Sequence, residues 1–249
     1  MVWPETAVPF FFQDHLRFAR DIFGLSRETG AMLLFGSPAY ERQNGITRYY
    51  NRAYLIDPGL GPGSGNVSHY DKVHLVPFGE YVPLKKFIPF LNNLVQAAGD
   101  FARGPSPTPL TANGIAIGVL ICFEAIFPEL ARDRVRQGAT VLVNLTNDAW
   151  FGMSSAPYQH LSMAVFRSVE TRRAMVRAAN TGFSAFISPC GDICLKSELF
   201  SEAVLHRAVT TEKHLTPYAR FGDLFALALT VISIIHMARL LLGRWRKRK

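Results

Sequence analysis

Residues 115–144 read IAIGVLICFEAIFPELARDRVRQGATVLVN, and this stretch decides the fold class. Ile115 to Cys122 and Thr140 to Asn144 are near-continuous apolar runs, the pattern of strands buried on both faces. Between them Pro128 to Gln137 is charged and amphipathic, with proline at the position where it opens a helix. Strand, helix and strand in this order indicate an α/β domain.

Working outward, the same alternation continues. A helix is expected over residues 11–29, followed by a short buried strand at Ala31 to Ser37 and a neighbour at Tyr49 to Ile56. Residues 58–65 are dense in glycine and proline and read as a turn. Tyr70 to Pro83 is too broken by proline and glycine for a helix and reads as an irregular loop carrying charges in an apolar setting. Residues 84–101 fit either a core-packing helix or an amphipathic flap at lipid headgroups. A long helix is expected over Tyr158 to Ala179 and a strand over Phe183 to Ser188, with the domain ending near Pro217. Leu224 to Leu242 then offers about 19 mostly apolar residues, close to the roughly 20 that cross a bilayer. His236 and Arg239 interrupt it, Arg239 near enough to the end to snorkel. The expected organisation is a domain over 1–220, a transmembrane helix over 221–243 and a basic tail over 244–249.

The chain has 249 residues, is 49% hydrophobic and carries a formal net charge of +8. Its densest basic run is Arg244 to Lys249, directly behind the apolar stretch. That placement suits the cytoplasmic flank of a membrane helix better than nucleic-acid binding. The main domain then lies on the opposite, extracytoplasmic face. Three cysteines, Cys122, Cys190 and Cys194, are too few and too scattered for a disulfide scaffold or a metal knuckle. Cys190 and Cys194 flank a hairpin turn and read as strand-end residues, a disulfide between them being the alternative. No metal or organic cofactor is expected.

Cys122 closes a buried strand just before a turn and a helix, a place where reactive nucleophiles are mounted. A lone cysteine in an apolar run is more commonly a small core residue. Two charged residues strengthen the nucleophile reading. Glu5 follows Trp3-Pro4 at a strand end, where a carboxylate has no packing purpose, and Lys72 sits in the loop DKVHLVPFGE, residues 71–80. His69, His74 and His160 read as structural rather than as a catalytic base.

The segments WPETAVP (3–9 with Trp3 first), HLVPFGE (74–80), Cys122-Phe123-Glu124, NDAWFG (147–152) and LTPYAR (215–220) together resemble the apolipoprotein N-acyltransferases, membrane members of the nitrilase superfamily. The resemblance runs from residue 2 to about residue 220. It implies a nitrilase-type α-β-β-α sandwich and a Glu5–Lys72–Cys122 triad, with Glu80 and Glu124 as supporting acids and Phe123 and Trp150 beside the substrate. Phe123 stands where the family often has tyrosine. By residue type, Glu5 would take the thiol proton while Lys72 and a backbone N–H just after Cys122 would stabilise the oxyanion. The implied reaction is ping-pong: a phospholipid acylates Cys122, and the thioester acylates the α-amine of a diacylglyceryl apolipoprotein. The implied location is the bacterial inner membrane. The family's preceding membrane helices, and a strand before Trp3, are not in this sequence, so an N-terminally shortened part of the enzyme is expected. The alternatives are an amidase acting on small amides and a catalytically silent fragment.

Overall fold

The computed structural model describes residues 1–61, 67–81, 100–105 and 108–246, without the side chains of 241–246. Most of the 84–101 segment and part of the 58–65 turn lie outside the described residues, as does the end of the basic tail.

Two sheets face each other. The first has the order β1 (Leu33–Gln43), β2 (Ile46–Ile56), β3 (Ser68–Asp71), all antiparallel. The β1–β2 turn is Asn44-Gly45, both with positive φ, which matches the right-handed twist of the two strands. The N-terminal residues run along the free edge of β1, where Val2 bridges Leu34 in parallel and Trp3 N–H donates to the Leu34 carbonyl at 2.8 Å.

The second sheet has the order β4 (Leu110–Ala112), β5 (Ile115–Ile121), β6 (Val141–Asn147), β7 (Met175–Asn180), β8 (Ala185–Ile187), β9 (Ile193–Lys196). Its central pairs β5–β6 and β6–β7 are parallel. This is why β5 and β6 lack polar alternation, as both of their faces are covered.

Three apolar clusters define the layers. Leu34, Ala53 and Leu55 of the first sheet meet Val119, Ile121, Val143 and Leu145 of the second. Outside the first sheet, α1 (Leu16–Thr29) buries Ala19, Ile22 and Phe23 against Phe35, Tyr54 and Ile56. Outside the second, α2 (Pro128–Arg136), α3 (Ala156–Thr171) and α4 (Pro217–Phe221) cover Leu120, Leu142 and Met175. The result is an α-β-β-α sandwich.

One expected element is divided. The helix read over 158–179 stops at Thr171, because Arg172 adopts a left-handed conformation at φ 52°, and the chain then turns into β7. Met175 to Asn180 is rich in helix-favouring residues, but the open edge of β6 and the buried face of the sheet override that local preference.

At the C-terminus α5 spans Leu224–Arg246. From Leu224 to Leu240 every residue is exposed, including Leu227, Ile232 and Ile234. Among the described residues no helix is long and apolar enough to cross a membrane, and the span expected over 221–243 runs past Leu240, where the described side chains end.

Close approach of the N-terminal segment to β1 depends on Gly36. A Cβ there would lie 2.7 Å from both Glu5 Cα and Thr6 N, too near for any carbon, and the contacts are backbone. Gly36→Ala is therefore expected to push residues 5–6 off the sheet and destabilise the protein by about 1–3 kcal/mol. Urea denaturation would measure this, and an unchanged midpoint would contradict the close packing.

Candidate active site

The first sheet ends in a cluster of charge. Lys72 directly follows β3, and its N–H donates to the Asn51 carbonyl of β2 at 2.9 Å. Its side chain is 1% exposed, so its ammonium needs compensating anions. Glu80 supplies one at 2.9 Å and Glu5 a second at 3.7 Å. The Asn51 amide holds both acids, donating to Glu5 at 2.7 Å and to Glu80 at 2.9 Å. The other oxygen of Glu5 accepts the Asn147 N–H at 2.8 Å, which ties the first sheet to the carboxyl end of β6. The other oxygen of Glu80 accepts the Val76 N–H at 2.8 Å, closing the loop that carries it.

The second sheet contributes Cys122, half-buried at the carboxyl end of β5 in a short 3-10 turn, Cys122–Ile126. Its φ is 50°, a left-handed conformation that strains any residue other than glycine. Glu124, fully buried, braces that turn. It accepts N–H groups from Ile121 at 2.8 Å, Val73 at 2.8 Å and His74 at 3.0 Å, and the Tyr70 hydroxyl at 2.8 Å. Arg134, itself buried and bonded to the Tyr70 hydroxyl and the Val119 carbonyl, balances its charge. One carboxylate thus links the Cys122 turn to the backbone just after Lys72 and to the Tyr70 hydroxyl just before it. A second buried network lies behind the cysteine. Asp148 accepts from Arg177 at 2.8 Å and from Thr146 at 2.9 Å, and it faces His160 Nδ1 at 3.0 Å.

Burial raises the Glu5 carboxyl above its ordinary range, with Lys72 and Asn51 pulling the other way. Burial also works against the Lys72 charge, but Glu5, Cys122 and Glu80 outweigh it and hold the ammonium above its ordinary range. The Cys122 thiol is pushed up to about 12, first by burial and then by the Glu5 charge, with Lys72, Thr146 and the Asn147 backbone opposing. At neutral pH the thiol is therefore held in its neutral form, within the electrostatic influence of Glu5 and Lys72.

Of the residues expected from the sequence, Glu5, Lys72, Cys122, Glu80 and Glu124 are brought together. Phe123 packs on Phe127 and His74, with ring centroids 5.1 and 6.3 Å away. Trp150 is 84% exposed and makes no wall of the buried charge cluster, because its turn projects beyond β6. Cys190 and Cys194 are free thiols. Asn51 and Arg177 were not singled out from sequence, and Asn147 and Asp148 entered only as part of the NDAWFG segment. The one available signal was polarity in otherwise apolar strands, such as Asn51 within YYNRAYLI.

Two sheets between helices thus bring a cysteine, a lysine and a glutamate together at their ends. The carbon-nitrogen hydrolase family model matches residues 1–214, and the chain belongs to this family. It is 50% identical over 228 residues to the apolipoprotein N-acyltransferase of Geobacter metallireducens, covering 92% of this chain and 43% of that protein. It is 39% identical over 253 residues to that of Pseudomonas putida, covering 99% of this chain and 47% of that protein. The chain thus spans less than half the length of these curated relatives. Among solved structures, an amidase from Nesterenkonia sp. AN1 bearing the acetamide moiety of fluoroacetamide on its active-site cysteine aligns with a TM-score of 0.54. Identity is 21%, over 80% of this chain and 72% of the amidase. Saccharomyces cerevisiae Nit3, of the nitrilase superfamily, aligns with a TM-score of 0.57 at 19% identity, over 81% of this chain and 73% of Nit3. These two show the shared nitrilase-type fold.

Two outcomes follow. Glu124→Gln leaves Arg134 without its balancing charge and should destabilise the protein by about 3 kcal/mol, read by urea denaturation. Alkylation of Cys122 by iodoacetamide should keep rising with pH past the range near 8.5 where an ordinary thiol levels off. A plateau at ordinary thiol values would contradict the thiol's environment.

Proposed function

We propose that this chain carries the acyl-transferring centre of a lipoprotein-modifying enzyme, with Glu5, Lys72 and Cys122 as its catalytic groups. The observation that carries the reading is the meeting of a buried carboxylate, a buried ammonium and a half-buried thiol at the ends of two facing sheets. Similarity to bacterial apolipoprotein N-acyltransferases selects the substrates: a phospholipid as acyl donor and a diacylglyceryl apolipoprotein as acceptor.

In this reading Cys122 Sγ attacks the ester carbonyl carbon as its proton passes to Glu5. The tetrahedral oxyanion is held by Lys72 Nζ and by the Phe123 N–H. Collapse breaks the ester C–O bond, and the lysophospholipid leaves with the proton returned by Glu5. The acceptor's α-amine then attacks the thioester and gives its proton to Glu5. The amide forms, Cys122 leaves as thiolate, and Glu5 reprotonates it. Each half-reaction balances with no other reagent.

Glu80 and Asn51 keep Glu5 and Lys72 in register, while Phe123 and Trp150 contribute apolar surface to the substrate's approach. Trp150, Met153 and Phe78 are exposed on the loops beside the cluster, and α5 carries an unburied apolar surface. We assign these surfaces to contact with the bacterial inner membrane, α5 entering the bilayer and the catalytic domain lying on its extracytoplasmic face.

Glu5 must be ionised to accept the proton. Because its carboxyl is raised, activity should fall on acidification at a higher pH than the ordinary carboxylate range near 4.3, and Lys72→Met should shift that limb further up by removing the cation that favours ionised Glu5. The reaction itself is tested with vesicles containing acyl-labelled phospholipid and a diacylglyceryl peptide. Label should appear on Cys122 and then on the peptide amine, and Cys122→Ala should abolish both. Label released only as free fatty acid would favour a hydrolytic amidase-type activity instead.

A further inference from the structure

His160 occupies a place that the proposed chemistry does not yet use. It is 4% exposed on α3, and its Nε2 lies 3.1 Å from the carbonyl oxygen of Cys122. A carbonyl only accepts, so Nε2 carries the hydrogen and donates. The other ring nitrogen faces Asp148 at 3.0 Å and Arg177 at 3.2 Å. Asp148 is fixed in turn by Arg177 and Thr146. It also packs so closely on Gly182 that a Cβ there would sit 2.2 Å from its carboxylate oxygen. Imidazole, carboxylate and guanidinium are all buried, and each is placed by the next.

The geometry points to a positioning role for this chain of groups: we propose that His160, anchored by Asp148 and Arg177, sets the orientation of the oxyanion-stabilising N–H of Phe123. Among the described residues no peptide bond is cis, so the Cys122 carbonyl and the Phe123 N–H, which share one peptide plane, point in opposite directions. Holding the carbonyl toward α3 aims the N–H away from α3, toward the side on which the first sheet presents Glu5 and Lys72. The hydrogen bond on the oxygen also polarises the same peptide, which strengthens its N–H as a donor. Glu124 braces the residue before the cysteine through the Ile121 N–H at 2.8 Å. His160 braces the carbonyl of the cysteine itself, and the strained φ of 50° at Cys122 lies between the two restraints. The imidazole thus touches neither sulfur nor substrate, and it differs from a histidine base in acting through the backbone.

This inference rests on the acyl-transfer reading, and the test separates the two. Thioester formation on Cys122 from a phospholipid in vesicles is followed by mass spectrometry, and alkylation of Cys122 by iodoacetamide is followed in parallel. Alkylation passes through no oxyanion and needs no such donor. His160→Asn keeps a group able to reach Asp148 but withdraws the donor from the Cys122 carbonyl. His160→Gln places an amide N–H near the position of Nε2. The expectation is that His160→Asn slows acylation about 10–100-fold, less than the roughly 100–1000-fold for losing an oxyanion donor outright. Its alkylation rate should stay within about twofold of the parent by the same reasoning, and His160→Gln should recover most of the loss. Asp148→Asn, a near-isosteric change that leaves His160 in place, should give a smaller loss with the same split and covers the case in which His160→Asn does not fold. Acylation unaffected in His160→Asn, or acylation and alkylation falling together in both Asn variants, would overturn the proposal. A parent protein that alkylates but never acylates would instead overturn the acyl-transfer reading, and this inference with it.

Discussion

An ammonium ion held between two β-sheets is the constraint around which this molecule is arranged. Lys72 is 1% exposed, and an unpaired charge at that depth would cost several kcal/mol. Its anions come from distant parts of the chain: Glu5 from the N-terminal segment on the edge of β1 and Glu80 from the loop that follows β3. Asn51 from β2 bridges the two acids. Satisfying one cation therefore registers three segments of the first sheet. Because Glu5 also accepts from the Asn147 backbone, it registers the second sheet against the first.

The same logic recurs once on each side of the cysteine. Glu124 and Arg134 form a buried pair that anchors the backbone just after Lys72 and the residue that opens the Cys122 turn. Asp148 and Arg177 form another, reaching the Cys122 carbonyl through His160. Buried ion pairs are weak contributors to stability relative to apolar packing, and their defensible use is to specify a unique arrangement. Here they hold a non-glycine residue at φ 50° and keep a thiol, a carboxylate and an ammonium within electrostatic reach. The rigid part of the site is thus polar and internal. The apolar surfaces at Trp150, Met153 and α5 are exposed.

Much of this was legible in the residues. The apolar runs at 115–122 and 140–144 announced strands buried on both faces, and the charged, amphipathic segment 128–137 announced the helix between them. Glu5, Lys72 and Cys122 were recognisable as a set only through resemblance, since none of them is distinctive alone. The division of the 158–179 segment into α3 and β7 was not legible. Met175 to Asn180 has helical preferences, and its strand character comes from pairing with β6, a long-range contact. Asn51 and His160 were likewise opaque, because a polar side chain in a strand or helix declares no partner. Their partners lie 46 and 38 residues away, and the first of these contacts crosses to another sheet edge.

The most direct measurement is a crystal structure of the protein trapped with an acyl group on Cys122. The thioester oxygen is expected about 2.7–3.1 Å from both Lys72 Nζ and the Phe123 nitrogen, with Glu5 on the opposite side of the sulfur. An acyl oxygen turned away from both donors, or a lysine displaced from the cluster, would contradict the account.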